Sequence, residues 1–435
     1  MTRLANLKRL DLADRLIIFL SFALIANLTR LLLTRNIEYL FVDDWSIFKD
    51  FSTSGNGINL TNLAPYNGHS FFVNRVIYIF STKTMGIAIS TFSIMLTILL
   101  ITTLLVLARS ASHAAINHNK NFVFFTVVIV GLNLNQYQNL TMPTCWSWMI
   151  CLIALIWTYL LVNQDMNIYR VIILLLLSLI GPLTLSFGFI IPGYLAIKLT
   201  YEIYKDRHRL SNILILTCVV LFTSLVFKIS ILNSADEYGG FTSPIKMITQ
   251  PVNLLIFLLT SIGSPFTPAS RFSVTIASVF GLIVLILLMR ILRNSKNLST
   301  FLSTDGLITI GIIFHVIHLL GRFDGSWTSI LIAAQPRYST GAILLVFGIF
   351  LNMLRSGTKS TQLLIMMLLG IMTISGAKTA EDFSKVRHNK SVQITECISN
   401  HSLASSKCEE LLYPGENILS QEKFKEALVY LENVS

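Results

Sequence analysis

Charged residues are scarce in this sequence: 13% of its 435 residues are Asp, Glu, Lys or Arg, whereas 53% are hydrophobic. Soluble globular proteins carry about a quarter charged residues. The mean hydropathy is correspondingly high, at +0.68. Apolar runs long enough to cross about 30 Å of hydrocarbon recur along most of the chain. The composition therefore indicates an integral membrane protein, and one polytopic domain fits it better than several soluble domains.

Several other signatures are missing as well. The sequence has no glycine-rich phosphate loop, which argues against nucleotide binding, and no paired Cys/His spacing of the zinc type. The net charge of +11 is not arranged as a basic stripe with interleaved aromatics, so we expect no nucleic-acid partner. No small-residue cleavage site follows the first apolar run, residues 16–33, and we expect an uncleaved first transmembrane helix.

The Lys and Arg residues lie in short clusters between the apolar runs, as orientation signals do. With the N-terminus taken as cytoplasmic, successive clusters fall on the inner side, and the strongest is Lys205, Arg207 and Arg209. The run at residues 252–262 is too short to cross comfortably, and we expect it to be re-entrant or to lie on the surface; the short apolar piece at residues 71–80 is expected to lie along the surface. The pattern predicts an all-α polytopic membrane protein with about eleven transmembrane helices plus re-entrant or surface helices.

This topology divides the chain into a transmembrane domain, residues 1–375, and a small extracytoplasmic C-terminal tail, residues 376–435. Residues 421–433 of the tail have apolar side chains at helical spacing, which predicts a small amphipathic helix. Cys397 and Cys408 both fall in the tail. In an oxidising compartment a disulfide closing a loop of about a dozen residues is expected, with two unpaired thiols as the alternative.

The same topology gathers polar residues on the outer side of the membrane. The first hydrophilic interval, residues 38–75, carries an acidic pair next to a tryptophan, and it also contains a histidine and an arginine. These residues are Asp43, Asp44, Trp45, His69 and Arg75. One interpretation is a membrane active site. The alternative is that the acidic pair caps a surface helix on the bilayer.

Arginines at the outer ends of helices run against the positive-inside bias and therefore need a local anion. Arg75, Arg271, Arg322 and Arg337 are placed in this way. The anion is a neighbouring carboxylate, a substrate phosphate or, in the alternative of snorkelling side chains, a lipid headgroup. His315 and His318 lie three residues apart on one helix, and for them we favour core packing over a metal site or a proton path.

The order of these segments resembles a known family. A first helix, Val42-Asp43-Asp44-Trp45, Asn67-Gly68-His69 and Asn74-Arg75 are similar to segments of the polytopic GT-C glycosyltransferases that use lipid-linked sugars. The resemblance is greatest to the bacterial branch that includes the serotype-converting O-antigen glucosyltransferases of prophages. The segment at residues 135–140, and Gly321-Arg322 followed by Arg337-Tyr338, also resemble segments of that branch.

The resemblance implies transfer of a sugar, with glucose as the first candidate, from a polyprenyl-phosphate donor to a lipid-linked surface glycan such as O-antigen. The reaction would take place on the periplasmic face of the bacterial inner membrane, and the partners would be the donor, the acceptor glycan and membrane lipids. No cofactor is required, although assistance by a divalent metal stays open. A flippase, or a polymerase or ligase of lipid-linked glycans, is the alternative; the absence of an internal repeat and of midplane polar residues argues against a flippase.

We assign the candidate site residues from the same comparison. Asp44 is the preferred catalytic base and Asp43 its partner, because one carboxylate suffices to remove the proton of an attacking sugar hydroxyl. The candidates for binding the donor phosphate are Arg322, Arg337, Arg75 and His69. Trp45, Tyr338 and Gln136 are candidates for contacts with the sugar or acceptor. For each outer-loop aromatic taken alone, we favour an interfacial anchor over sugar stacking.

The topology has a direct test. Alkaline phosphatase is active only outside the cytoplasm, so its fusion after Lys378 should be active and its fusion after Arg209 inactive. Enzyme assays on cells expressing the two fusions make the measurement. The reverse pattern would overturn the assignment of the polar segments to the outer side.

Overall fold

The computed structural model describes residues 12–35, 40, 44–45, 48, 72–85, 90–113, 115, 120–142, 145–205, 209–230, 244–267, 273–294, 306–355, 358–402, 405–413, 415–416 and 420–434. Within these ranges the chain is all-helical, with α-helices, short 3₁₀ turns and no strand. The helices are α1 (Leu12–Thr34), α2 (Phe72–Met85), α3 (Ser90–His113), α4 (Lys120–Gly131), α5 (Tyr137–Thr141), α6 (Trp146–Val162), α7 (Ile168–Thr184), α8 (Ile190–Tyr204), α9 (Arg209–Ser230), α10 (Pro244–Thr249), α11 (Pro251–Gly263), α12 (Ser273–Asn294), α13 (Gly306–Arg322), α14 (Trp327–Ala333), α15 (Pro336–Arg355), α16 (Lys359–Asn400), α17 (Ser406–Leu412) and α18 (Gln421–Val434).

Six helices of the described ranges are long and apolar enough to cross a membrane: α1, α3, α9, α12, α15 and α16. Four shorter apolar helices accompany them: α6, α7, α11 and α13. The outer helices expose large apolar side chains, such as Phe19 on α1 and Leu221 on α9, which suits contact with lipid rather than water. The chain is therefore that of an all-helical membrane protein, while the count of eleven crossings stays a prediction.

The apolar runs of the sequence correspond to helices of the structure, with shifts of a few residues at their ends. The amphipathic helix expected at residues 421–433 is confirmed as α18, whose Phe424, Leu428 and Leu431 are buried. The short helices α5 and α14 were not predicted. Each is less than two turns long, so an apolar periodicity does not develop along it.

The helix α16 differs most from its prediction. An apolar crossing at residues 363–374 was expected, but the helix continues unbroken to Asn400, for 42 residues in all. No proline follows Gly376 within it, and polar residues such as Lys and Glu are good helix formers in water. At 1.5 Å per residue its length is about 63 Å, roughly twice the hydrocarbon thickness. The predicted division at residue 375 falls inside this helix.

The helix α15 lies at the centre of the bundle. Its most apolar window is 78% buried by other parts of the protein, against 22% for α9 at the periphery. The helix α13 packs on it at backbone distance, with Gly311 beside Leu345 and Gly348 beside Ile308. Because residue numbers rise along one helix as they fall along the other, the two helices are antiparallel. The end of α13 and the start of α15 therefore lie at the same end of the bundle.

The helices α11 and α12 cross in close contact. Thr260 Oγ1 lies 3.1 Å from Ser278 Oγ, and Gly263 meets the backbone of Gly281. Val274 joins Phe257 in a small apolar cluster. Gly263 lies closest to Ala277, and Gly281 lies closest to Leu259. Small residues on both helices therefore let the two backbones touch, while the re-entrant path expected for residues 252–262 stays a prediction.

This crossing predicts a position-specific effect of one added methyl group. A Cβ on Gly281 would lie 1.9 Å from the carbonyl oxygen of Leu259, whereas a Cβ on Gly370 of α16 would meet nothing within 4 Å. Gly281→Ala should therefore destabilise the protein by about 1–3 kcal/mol, since backbone cannot move aside as a side chain can. Gly370→Ala is the control and should be neutral or slightly stabilising. Thermal unfolding of the purified protein in detergent measures both; equal midpoints would contradict the close crossing.

Candidate functional site

The acidic segment lies inside the protein. Asp44 is fully buried in a short 3₁₀ turn with Trp45, while Asp43 and His69 lie outside the described residues. Burial raises the pKa of the Tyr78 phenol well above its ordinary value, and the negative charge of Asp44 adds to this effect. Asp44 is therefore close to α2 and does not fit the alternative of an exposed helix cap.

The helix α2 supplies further polar groups to this region. Arg75 is 2% exposed and lies one turn before Tyr78, so both side chains are on the face that Asp44 approaches. The Tyr78 ring packs 5.7 Å from that of Trp146, at the start of α6. A carboxylate, a guanidinium and a phenol thus share one buried region beside the first turn of α6.

The two predicted phosphate-binding arginines lie at the same end of the antiparallel pair α13 and α15. Arg322 ends α13 and Arg337 is the second residue of α15, and both side chains are partly exposed. The Arg337 guanidinium lies 5.5 Å from the centre of the Tyr338 ring. The structure therefore brings these two arginines to one end of the bundle, as the topology required.

Two tryptophans of α6 pack toward the two regions, one toward each. Trp146, whose ring lies 5.7 Å from that of Tyr78, is followed two residues later in the first turn of α6 by Trp148, whose ring lies 5.3 Å from that of Tyr338. Both tryptophans are buried, so the interfacial-anchor interpretation is wrong for them. Trp327, at 54% exposure, is compatible with it. Side chains two residues apart on a helix do not face each other, so the two rings are separate packing contacts of α6 with Tyr78 and with Tyr338.

The motif at residues 135–140 forms a buried hydrogen-bond network. Asn135 Nδ2 donates to the carbonyl oxygen of Pro265 at 2.6 Å and to Ser375 Oγ at 2.9 Å, and Asn135 Oδ1 accepts from Thr379 at 2.8 Å. Asn139 Nδ2 donates to the carbonyl oxygen of Arg337 at 2.8 Å. This network connects the end of α4 with the turn after α11, the start of α15 and the middle of α16.

The three predicted sugar contacts have packing positions. Gln136 is fully buried, its amide nitrogen donates to Gly131 O at 2.6 Å, and its amide oxygen accepts from Thr340 at 2.9 Å. Tyr338 is 4% exposed and Trp45 is 2% exposed. In this arrangement all three residues pack against other parts of the protein, and their contacts with a sugar stay a prediction.

The C-terminal tail covers the acidic segment. Phe424 of α18 is fully buried and packs edge-on against Trp45, with 4.8 Å between ring centres. The predicted disulfide between Cys397 and Cys408 is confirmed, and it ties the end of α16 to α17. Glu409 of α17 in turn accepts a hydrogen bond from Gln421 at the start of α18. Contacts therefore link the end of α16, through α17 and α18, to Trp45, the residue next to Asp44.

Sequence reasoning missed the polar groups that dock the extension of α16. Glu381 lies 2.6 Å from Arg30 and 3.4 Å from Arg35, at the end of α1. Burial raises the pKa of Tyr137 to about 12, although the positive charge of Arg387, on the extension of α16, acts to lower it. Arg30 and Glu381 are separated by 351 residues, and no local pattern predicts such a pair. Exposed ion pairs contribute about 0–1 kcal/mol, so this contact orients the helix more than it stabilises it.

A second missed group surrounds Ser261 of α11. Its hydroxyl lies 2.9 Å from Nδ1 of His315 and 2.9 Å from Nδ1 of His318. The sequence places the two histidines on one face of a helix but gives no signal for Ser261. In the described part of the chain, no cluster of three or more His, Cys, Asp or Glu side chains is arranged to hold a metal ion.

Comparisons of the chain with protein-family models, with curated proteins and with solved structures found no match. The class is therefore defined by the fold and the site alone. It is an all-helical membrane protein in which buried polar side chains gather at one end of the bundle.

The disulfide predicts how firmly the tail is held. Without it, the tail should open more often, because the cross-link removes about 3 kcal/mol of loop entropy from the open state. In a Cys397→Ser, Cys408→Ser double variant, trypsin should therefore cut at Lys423 and Lys425 at least about ten times faster than in the parent. Cys218→Ser removes a cysteine outside any disulfide and is the control. Equal cleavage rates in all three proteins would show that the disulfide does not hold the tail.

Proposed function

We propose that the protein is a GT-C-type glycosyltransferase of the bacterial inner membrane. It transfers a sugar, with glucose as the first candidate, from a polyprenyl-phosphate donor to a lipid-linked surface glycan such as O-antigen. The reaction takes place on the periplasmic side of a multi-pass domain with about eleven crossings. The observation that carries the proposal is the burial of Asp44 close to α2, which holds Arg75 and Tyr78, together with the placement of Arg322 and Arg337 at one end of the pair α13 and α15.

The chemistry assigns different roles to the two regions. An acceptor hydroxyl attacks the anomeric carbon of the donor sugar, and the bond from that carbon to the phosphate oxygen breaks. Asp44 accepts the hydroxyl proton as the new bond forms. The polyprenyl phosphate leaves with the bonding electrons, and the guanidinium groups of Arg322 and Arg337 stabilise its added negative charge. Atoms and charge balance without a nucleotide.

Other residues support this division. Arg75 lies on the acidic side, where its positive charge favours the ionised form of a carboxylate and attracts the anionic donor. Asp43 and His69 keep their proposed roles as partner of the base and as phosphate ligand; both lie outside the described residues. Because Asp44 is fully buried, an acceptor reaches it only after the covering chain moves, as lids do in many transferases.

The decisive experiment measures transfer from a synthetic polyprenyl-phosphate glucose to an acceptor glycan in membranes that contain the protein. Asp44→Asn should lower the rate at least about a hundredfold, since the amide keeps the shape of the side chain but cannot accept the proton. Asp382→Asn makes the same chemical change on a side chain that is 52% exposed on α16, and it should transfer at the parent rate.

Protein abundance in the membrane must be equal for the comparison to hold, and immunoblotting establishes it. Transfer by Asp44→Asn at the parent rate would remove Asp44 from the chemistry. Absence of transfer by the parent protein with any polyprenyl-phosphate sugar would reject the proposed reaction.

A further inference from the structure

The group formed by Ser261, His315 and His318 is buried at the interface of α11 and α13. The exposed fractions are 1% for Ser261, 5% for His315 and 4% for His318. Both histidines use Nδ1 to bond to the same hydroxyl, and both Nε2 atoms are buried without a hydrogen-bond partner among the described residues. Buried polar atoms are rarely left unbonded, so these two nitrogens point to a missing partner.

The single hydroxyl proton fixes the tautomers of the two rings. Ser261 can donate to only one Nδ1, so the other ring must carry its proton on Nδ1 and donate to the oxygen. The neutral imidazole that accepts from Ser261 has its own proton on Nε2. One of the two histidines therefore presents a buried Nε2–H donor, and the other presents a bare Nε2 acceptor.

The ring of His318 is held firmly by its neighbours. It stacks on Tyr338, with 4.4 Å between ring centres and 21° between planes, and on Phe314, at 5.4 Å and 26°. Stacking on both sides fixes the plane of the imidazole ring. The hydrogen bond to Ser261 then fixes the directions in which the two ring nitrogens point within that plane. A ring fixed in both ways is suited to present one nitrogen in a defined direction.

His318 also belongs to the arginine end of the bundle. Arg322 follows it by four residues on the same helix face, close enough for its charge to act on the imidazole. The Arg337 guanidinium lies 5.5 Å from the ring centre of Tyr338, the same ring that stacks on His318. The imidazole is thus grouped with both arginines of the proposed phosphate site.

We infer that His318 is a third ligand of the lipid-linked phosphate: Ser261 accepts from His315 Nδ1 and donates to His318 Nδ1, and the Nε2–H of His318 donates a hydrogen bond to a phosphate oxygen of the polyprenyl carrier. This inference rests on the proposed function, because it assigns the phosphate to the Arg322 and Arg337 end of the bundle. A neutral N–H completes the hydrogen bonding of a phosphate oxygen without placing a third positive charge in a buried region. His315 acts through Ser261 and is a positioning residue.

Binding of the carrier can be measured without sugar transfer. The purified protein in detergent is titrated with a polyprenyl phosphate, with polyprenol as the phosphate-free lipid and with inorganic phosphate, and the shift in unfolding temperature gives the dissociation constants. We expect tight binding only of the polyprenyl phosphate. Equal stabilisation by inorganic phosphate at the same concentration would assign the group to the free ion and overturn the lipid assignment.

The variants separate the histidine from the arginines. His318→Phe keeps a stacking ring but no nitrogen, and it should weaken binding of the polyprenyl phosphate about tenfold or more, the usual loss for a hydrogen bond to a charged group. His318→Gln, whose amide nitrogen takes a position near that of Nε2, should recover part of the loss. His401→Phe is the matched control at an exposed histidine of the tail and should bind as the parent does.

Two results distinguish the failure of this inference from failure of the proposed function. If Arg322→Ala and Arg337→Ala weaken binding while His318→Phe does not, the histidine is packing only and the phosphate site stands. If the arginine variants also bind as the parent does, the phosphate site itself is wrong. Should His318→Phe fail to fold, Ser261→Ala, which frees the tautomer, should weaken binding several-fold; unchanged binding by that variant would overturn the inference.

Discussion

The side-chain amide of Asn135 makes the contact on which the arrangement of this protein depends. It bonds at once to the turn after α11, through Pro265, and to α16, through Ser375 and Thr379. A buried amide that loses its hydrogen bonds costs about 1–3 kcal/mol. These segments are therefore kept from sliding past one another along the axis of the bundle. Gly376 adds a steric condition, because a Cβ there would lie 2.8 Å from Asn133 Oδ1. The end of the bundle that holds the candidate site is therefore fixed by hydrogen bonds, while apolar packing fills the rest.

Much of the fold was predictable because its cause is local. A long apolar run has few alternatives to a membrane helix, and the spacing of Phe424, Leu428 and Leu431 determines which face of α18 is buried. The extent of α16 was not predictable from hydropathy, since a helix leaving the membrane changes its environment without changing its backbone. The burial of Trp45 was not predictable either, because its partner Phe424 lies almost the whole chain away.

The candidate site likewise has residues that the sequence could name and contacts that only the structure could show. The sequence, through a family resemblance, named Asp44, Arg322 and Arg337; the structure buries Asp44 near α2 and places the two arginines at one end of the bundle. It could not show that Gln136 bonds to Gly131 and Thr340, because the motif around Gln136 is compatible with either a ligand or a network. It also could not show that Ser261 lies between His315 and His318, since packing across 54 residues of sequence depends on how α11 meets α13. Partners of this kind are set by tertiary structure.

The continuous course of α16 constrains the length of the chain. A helix turns about 100° and rises about 1.5 Å for each residue, so one residue inserted between Gly376 and Cys397 would rotate and lift everything beyond it. Glu381 or Cys397 would then face a different side of the protein, depending on the point of insertion, and α18 would no longer meet Trp45. In most polar surface segments an extra residue is absorbed by a loop. Here the number of residues determines which way the later side chains face, so geometry constrains the length of this segment even where the individual side chains are free to change.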